Sequence, residues 1–175
     1  MVRVASRCLL ALTLLAVSTS VASAQAVGST LGVSYSFLRV LNGPGINVPA
    51  GWLVSFAGPL EDSPVAIVGE AAGNYRSEFG ETFRVHTFQA GLRLTGRTTR
   101  DVYPFAQFLV GVMNLGCCGE SSNHFAIEPG FGVDLRPNGG WGVRLGASFP
   151  FAFDDGDSLK SLRLQAGVVL PLLIR

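Results

Sequence analysis

From Thr30 to Leu170 one pattern recurs: large apolar side chains at every second position, with small or polar residues between them. Over Thr30–Leu38, Leu31, Val33, Tyr35 and Phe37 share one face, while Thr30, Gly32, Ser34 and Ser36 share the other. A period of two puts alternate side chains on opposite sides of an extended strand, whereas a helix returns to the same face after about 3.6 residues. Similar segments follow at about Trp52–Gly58, Val65–Arg76, Thr87–Leu94, Val102–Met113, Phe125–Leu135, Trp141–Phe149 and Leu162–Leu170. The fifth is the least clear, because apolar residues occupy both faces; its best register sets Ala106, Phe108, Val110 and Val112 against Gln107 and Gly111.

Eight strands, separated by turn-forming residues, predict an antiparallel up-and-down barrel. Pro59–Pro64, Gly96–Asp101 and Arg136–Gly140 read as short turns, and Arg39–Ala50, Ser77–Thr82, Asn114–Asn123 and Pro150–Lys160 as longer loops. The barrel is then expected to have two unlike ends.

Composition restricts the setting. With 48% hydrophobic and only 14% charged residues, the chain of 175 is not disordered, and its 22 glycines exceed the usual share of a soluble domain. Beyond the first 24 residues there is no apolar run of the roughly 20 residues that a spanning helix needs. Those first residues have their own grammar: Arg3 and Arg7, an apolar core from Cys8 to Val17, and Ala22-Ser23-Ala24 before Gln25. This predicts a secretory signal peptide over 1–24, cleaved before a single barrel domain over 25–175. Loss of Arg3 and Arg7 takes the net charge from +1 to −1, which leaves no basic field for nucleic acid.

The small, polar face carries Glu70, Glu128 and Asp134 together with Arg93, Arg144 and Arg163, alongside Gln89, Gln107, Gln165, Ser34 and Ser36. An arginine facing lipid near the bilayer midplane costs about 2 to 4 kcal/mol, so in a membrane these groups must face inward. Three acids can there balance three arginines, as a structural network inside a narrow barrel whose glycines and serines leave room for long side chains. The alternative is a soluble, lipocalin-like barrel turned the other way, with the apolar face lining a site for one apolar ligand. Such a surface would be unusually poor in lysine, since Lys160 is the only one. Tyr35, Phe37, Trp52, Tyr75 and Trp141 lie near strand ends, where a membrane barrel carries interfacial aromatics.

The signal peptide, Val33-Ser34-Tyr35-Ser36-Phe37, Pro49-Ala50-Gly51-Trp52, Val85-His86-Thr87-Phe88, Pro104-Phe105-Ala106 and Gly130-Phe131-Gly132-Val133-Asp134 together resemble the bacterial outer membrane protein β-barrel domain family, with the architecture of the OmpA and OmpX barrels. The resemblance implies an outer membrane protein of a Gram-negative-type bacterium. Its surroundings would be outer membrane lipid and lipopolysaccharide, its assembly would use the outer membrane assembly machinery, and it would be a monomer. The expected role is structural or surface-interacting, and because side chains fill the interior of an eight-stranded barrel no open pore is expected. The chain departs from that family in ending Leu172-Leu173-Ile174-Arg175 instead of on an aromatic residue.

No cofactor is expected and no metal site, since His86 and His124 are the only histidines. Cys117 and Cys118 are adjacent; free thiols, a vicinal ring and pairing between molecules all remain open, and a loop feature is the simplest reading. Barrels of this size also include lipid A deacylases and acyltransferases, which need a nucleophile, a base and an orienting acid. His124 beside Ser121 and Ser122, with Asp154, Asp155 and Asp157 further on, supplies such residue types in no spacing that identifies a catalytic site. No enzyme is therefore expected.

Overall fold

A computed structural model gives the arrangement of residues 28–42, 45–61, 63–78, 81–117, 120–137, 140–154 and 157–172. The signal peptide, Cys118 and Asp155 lie outside these described residues. Strands run over β1 (Thr30–Val40), β2 (Asn47–Val48), β3 (Ala50–Pro59), β4 (Val65–Glu78), β5 (Glu81–Thr95), β6 (Val102–Cys117), β7 (Glu120–Leu135), β8 (Gly142–Ser148), β9 (Phe151–Asp154) and β10 (Asp157–Pro171).

These ten segments form eight staves. β2 and β3 are one stave carrying a one-residue bulge at Pro49: Tyr35 pairs with Trp52, but Leu38 pairs with Val48. β8 and β9 are another, in continuous register against β7, where Gly130 faces Ser148 and Ile127 faces Phe151. The break falls at Pro150, which has no N–H to give the ladder, although its carbonyl still accepts from Ser161 N at 2.9 Å. Each stave pairs antiparallel with the next, and β10 returns to β1 from Thr30 against Pro171 to Val40 against Ser161. The ring is thus closed and has no free sheet edge.

Following the pairings from Thr30 through Ala57, Val68, Gly91, Leu109, Glu128, Pro150 and Ser161 leads back to β1 at Val40, ten residues further along. With a rise of about 3.3 Å per residue and strands about 4.8 Å apart, that stagger tilts eight staves by about 40°. The outward positions of β7 from Phe125 to Leu135 are all apolar, and those of β6 from Val102 to Val112 likewise. Ten residue steps at this tilt make a belt about 25 Å tall. Asn114, Ser121 and Asn123 occupy the outward positions just beyond it.

The loops differ from expectation. Ser77–Thr82, Asn114–Asn123 and Pro150–Lys160 are mainly strand: β4 runs to Glu78 and β5 starts at Glu81, β6 runs to Cys117 and β7 starts at Glu120, and β9 ends at Asp154 with β10 starting at Asp157. Beyond the belt the outward positions become polar while apolar side chains such as Phe83 and Leu115 turn inward, so the apolar-out alternation is lost although the hydrogen-bonded ladder continues. The end expected to carry long loops therefore carries three tall hairpins plus the β1–β2 connection. At the opposite end, with Thr30 and Pro171, the staves join through residues 60–64, 96–101 and 136–141.

Candidate functional site

Inward positions hold the polar set, and the ladder decides which groups meet. Asp134 on β7 lies directly opposite Arg144 on β8. Arg144 donates from Nε to Asp134 Oδ1 at 2.7 Å and from Nη2 to Oδ2 at 2.8 Å, a two-pronged pair, while Nη1 reaches Ser55 Oγ at 2.8 Å. Gly32 on β1 makes room for it: a Cβ there would lie 2.8 Å from Arg144 Nη1 and 2.7 Å from Ser55 Oγ.

Further along the axis, Arg163 on β10 donates from Nη1 to both oxygens of Glu128, at 2.8 and 2.9 Å, and from Nη2 to Thr87 Oγ1 at 3.1 Å. Ser148 donates to the same Glu128 at 2.5 Å, and neither Arg163 nor Glu128 exposes any surface. Glu70 is 3.7 Å from Arg163 and accepts from Gln107 Nε2 at 3.4 Å. Among the described residues Arg93 meets no carboxylate directly; it donates twice to Gln107 Oε1, its partner across the β5–β6 ladder, and stacks 4.5 Å over the Phe105 ring. The six charged groups thus form two tight ion pairs, with Glu70 and Arg93 linked through Gln107.

Two inward features were not expected. Arg136, read as part of a short turn, is buried against Tyr103, its guanidinium 4.1 Å over the ring. The parity that runs through Glu128, Gly130, Gly132 and Asp134 continues to it, and that was the available signal. At the hairpin end the inward side chains become apolar, and Leu38, Val48, Val85, Met113, Ala126 and Ala152 form a buried cluster with Phe83, Leu115 and Leu159 packed against it.

Above this cluster is the mouth of the ring. Ser122 Oγ is 2.7 Å from His124 Nε2, and His124 Nδ1 is 3.6 Å from Asp154 Oδ1. His124 and Asp154 line a cleft of about 330 Å³ with Asn42, Leu115, Ala152, Ser158 and Leu159, and Ser122 lines a neighbouring one of about 290 Å³ that shares Leu115. Residues from the two segments that show no recognisable catalytic spacing in the sequence are thus brought together. Cys117 ends β6 exposed, and among the described residues no group of three or more His, Cys, Asp or Glu side chains could hold a metal ion. His86 points outward, where Tyr75 OH lies 2.8 Å from its Nε2 and Trp52 Nε1 donates to the same hydroxyl at 3.4 Å.

No family model matches the chain, and no curated protein sequence does. Solved structures do match. Neisserial surface protein A superposes with a TM-score of 0.67 at 12% identity, over 84% of this chain and 99% of that one. Ail, the attachment invasion locus protein of Yersinia pestis, gives 0.56 at 19% identity over 81% and 97%, in a complex with the heparin analogue sucrose octasulfate. The fold is that of the small outer membrane β-barrels. The N-terminal β-barrel domain of Pseudomonas aeruginosa OprF matches too, with a TM-score of 0.52 at 8% identity over 83% and 100%. At these identities the ring and its strand order are what is shared, while the inward charges and the mouth described above are read from this chain alone.

Proposed function

We propose that the chain is exported, loses residues 1–24, and inserts as a monomer into the outer membrane of a Gram-negative-type bacterium, with the hairpin end outward. The observation that carries this is the apolar belt about 25 Å tall around a closed ring, the height of the lipid-facing band of outer membrane barrels. Trp52 and Tyr35 near its hairpin-side edge, and Trp141, 68% exposed beside the 136–141 turn, supply amphipathic rings for the two interfaces. Lipid and lipopolysaccharide surround the belt, and the assembly machinery delivers the chain there. The interior ion pairs act structurally: they occupy the lumen with long side chains whose charges are paired, so the barrel is a closed post without an open pore. Three hairpins raised above the membrane suit a role in envelope structure or surface interaction.

Fractionation of expressing cells tests this. The protein is expected in the outer membrane pellet, starting at Gln25 and moving faster on a gel before boiling than after it. Recovery in the soluble periplasmic fraction would instead support the lipocalin-like reading, and an apolar ligand would then be extractable.

A further inference from the structure

Three side chains at the mouth have an order that a supporting rim does not require. Ser122 and His124 are two residues apart on β7, so both share the inward parity of Ala126. A hydroxyl oxygen sits 2.7 Å from Nε2, and a carboxylate oxygen lies 3.6 Å from Nδ1 on the other side of the same imidazole. A serine nucleophile needs this arrangement: a base to take its proton, and an anion that holds the ring in the tautomer with Nε2 unprotonated. The imidazole is 10% exposed, enclosed enough to be oriented, while the Asp154 carboxylate is 69% exposed and can rotate to shorten a contact of the kind that often tightens only when substrate binds. Ser122 lines one cleft with Phe83 and Leu115, and His124 and Asp154 line the neighbouring one with Leu115, Ala152 and Leu159, apolar residues that belong to or pack against the buried cluster below. An acyl chain would find apolar surface there and a polar edge at Asn42 and Ser158.

We propose that Ser122, His124 and Asp154 form an ester-hydrolysing site for esters of apolar acyl chains. The reading goes beyond envelope residence, and neither depends on the other. Ser122 Oγ adds to the ester carbonyl carbon as its proton passes to His124 Nε2. The tetrahedral species then collapses, the carbon–oxygen bond to the alcohol breaks, and the alcohol leaves with that proton. Water adds to the acyl-serine, giving a proton to Nε2, and the acyl group departs as a carboxylic acid while Ser122 regains its proton. Ser122 and His124 are the catalytic residues; Asp154 is a positioning residue.

The test uses the full mature chain folded in detergent micelles, with folding of each variant verified by heat-shifted gel mobility. Two substrates are offered, soluble p-nitrophenyl octanoate and vesicles of phosphatidylethanolamine with lipopolysaccharide, and a fluorophosphonate probe is mapped by mass spectrometry. The adduct is expected on Ser122, and kcat/KM in Ser122→Ala and His124→Ala is expected to fall at least about 100-fold. Asp154→Asn should lower kcat with KM unchanged; an unchanged kcat removes Asp154 from the site. Fatty acid released from the vesicles assigns the ester to membrane lipid, and cleavage of the soluble ester alone assigns it to a diffusible molecule. Wild-type turnover no faster than that of Ser122→Ala, with no adduct on Ser122, overturns the proposal.

Discussion

Replacing Arg163 by Met removes the cation on which the middle of the lumen is centred, at nearly constant volume. Glu128 loses both guanidinium contacts, at 2.8 and 2.9 Å, and keeps only Ser148; Thr87 loses its donor, and Glu70 loses the positive charge 3.7 Å away. Two carboxylates are left in one enclosed space without a guanidinium in direct contact, Arg93 reaching Glu70 only through Gln107. Breaking a buried pair from one side destabilises by about 3 to 5 kcal/mol, chiefly because the remaining charge is uncompensated. Removing the pair together, as Arg163→Met with Glu128→Gln, should therefore restore much of the loss, with a coupling of about 2 kcal/mol or more. Arg93 contacts Gln107 and a ring instead of an acid, so Arg93→Met should cost less, about 1 to 2 kcal/mol. The assay is reversible urea unfolding in lipid vesicles, followed through Trp52 and Trp141, the two tryptophans of the chain. Equal midpoints for wild type and Arg163→Met, or strictly additive losses in the double variant, would refute the reasoning.

Other expectations follow from the belt, the glycine pocket and the hairpin end. Phe131→Arg, in the middle of the outward apolar row, should cost about 2 to 4 kcal/mol in the same unfolding assay, whereas Ser121→Arg beyond the belt should cost under about 1 kcal/mol. Equal effects would remove the assigned membrane level. Gly32→Val should destabilise by about 1 to 3 kcal/mol, since its first carbon already meets Ser55 Oγ at 2.7 Å and Arg144 Nη1 at 2.8 Å; a neutral result would show that Arg144 can move aside. In a Cys118→Ser background, the exposed Cys117 should react with a membrane-impermeant maleimide on intact cells. Labelling that appears only after lysis would mean that the hairpin end faces inward.

The alternation at Leu31, Val33, Tyr35 and Phe37, and in its seven relatives, is enough to read a ring of eight staves, because lipid-facing and lumen-facing positions differ sharply in size and polarity. It also makes legible that Glu70, Arg93, Glu128, Asp134, Arg144 and Arg163 fall on one parity. Which of them touch is not legible, because that depends on a stagger accumulated around the whole ring. Asp134 meets Arg144 through a local hairpin, but Arg163 reaches Thr87 from the far end of the chain. The tall hairpins were hidden for a different reason: Ser121, Ser122 and Asn123 look like a loop because neither face of that stretch is apolar. The same blindness covered the mouth. Ser122 and His124 are visibly spaced for one face, but Asp154 joins them only because Phe125 pairs with Phe153 in the β7–β9 ladder.

The seam between β1 and β10 pairs Thr30 with Pro171 and Val40 with Ser161, so the first stave made is the last to be completed. Contacts this distant in sequence form slowly, because a long loop must close before they contribute anything. Until β10 is present, β1 has one unpaired edge and the apolar belt has no finished surface on which to lie. An incomplete chain of this kind is prone to aggregate in water, so it has to be kept from collapsing through transit. The charged lumen acts on timing as well, since Arg163 reaches Glu128 only when that last stave arrives, joining the neutralisation of the interior to the closing of the ring.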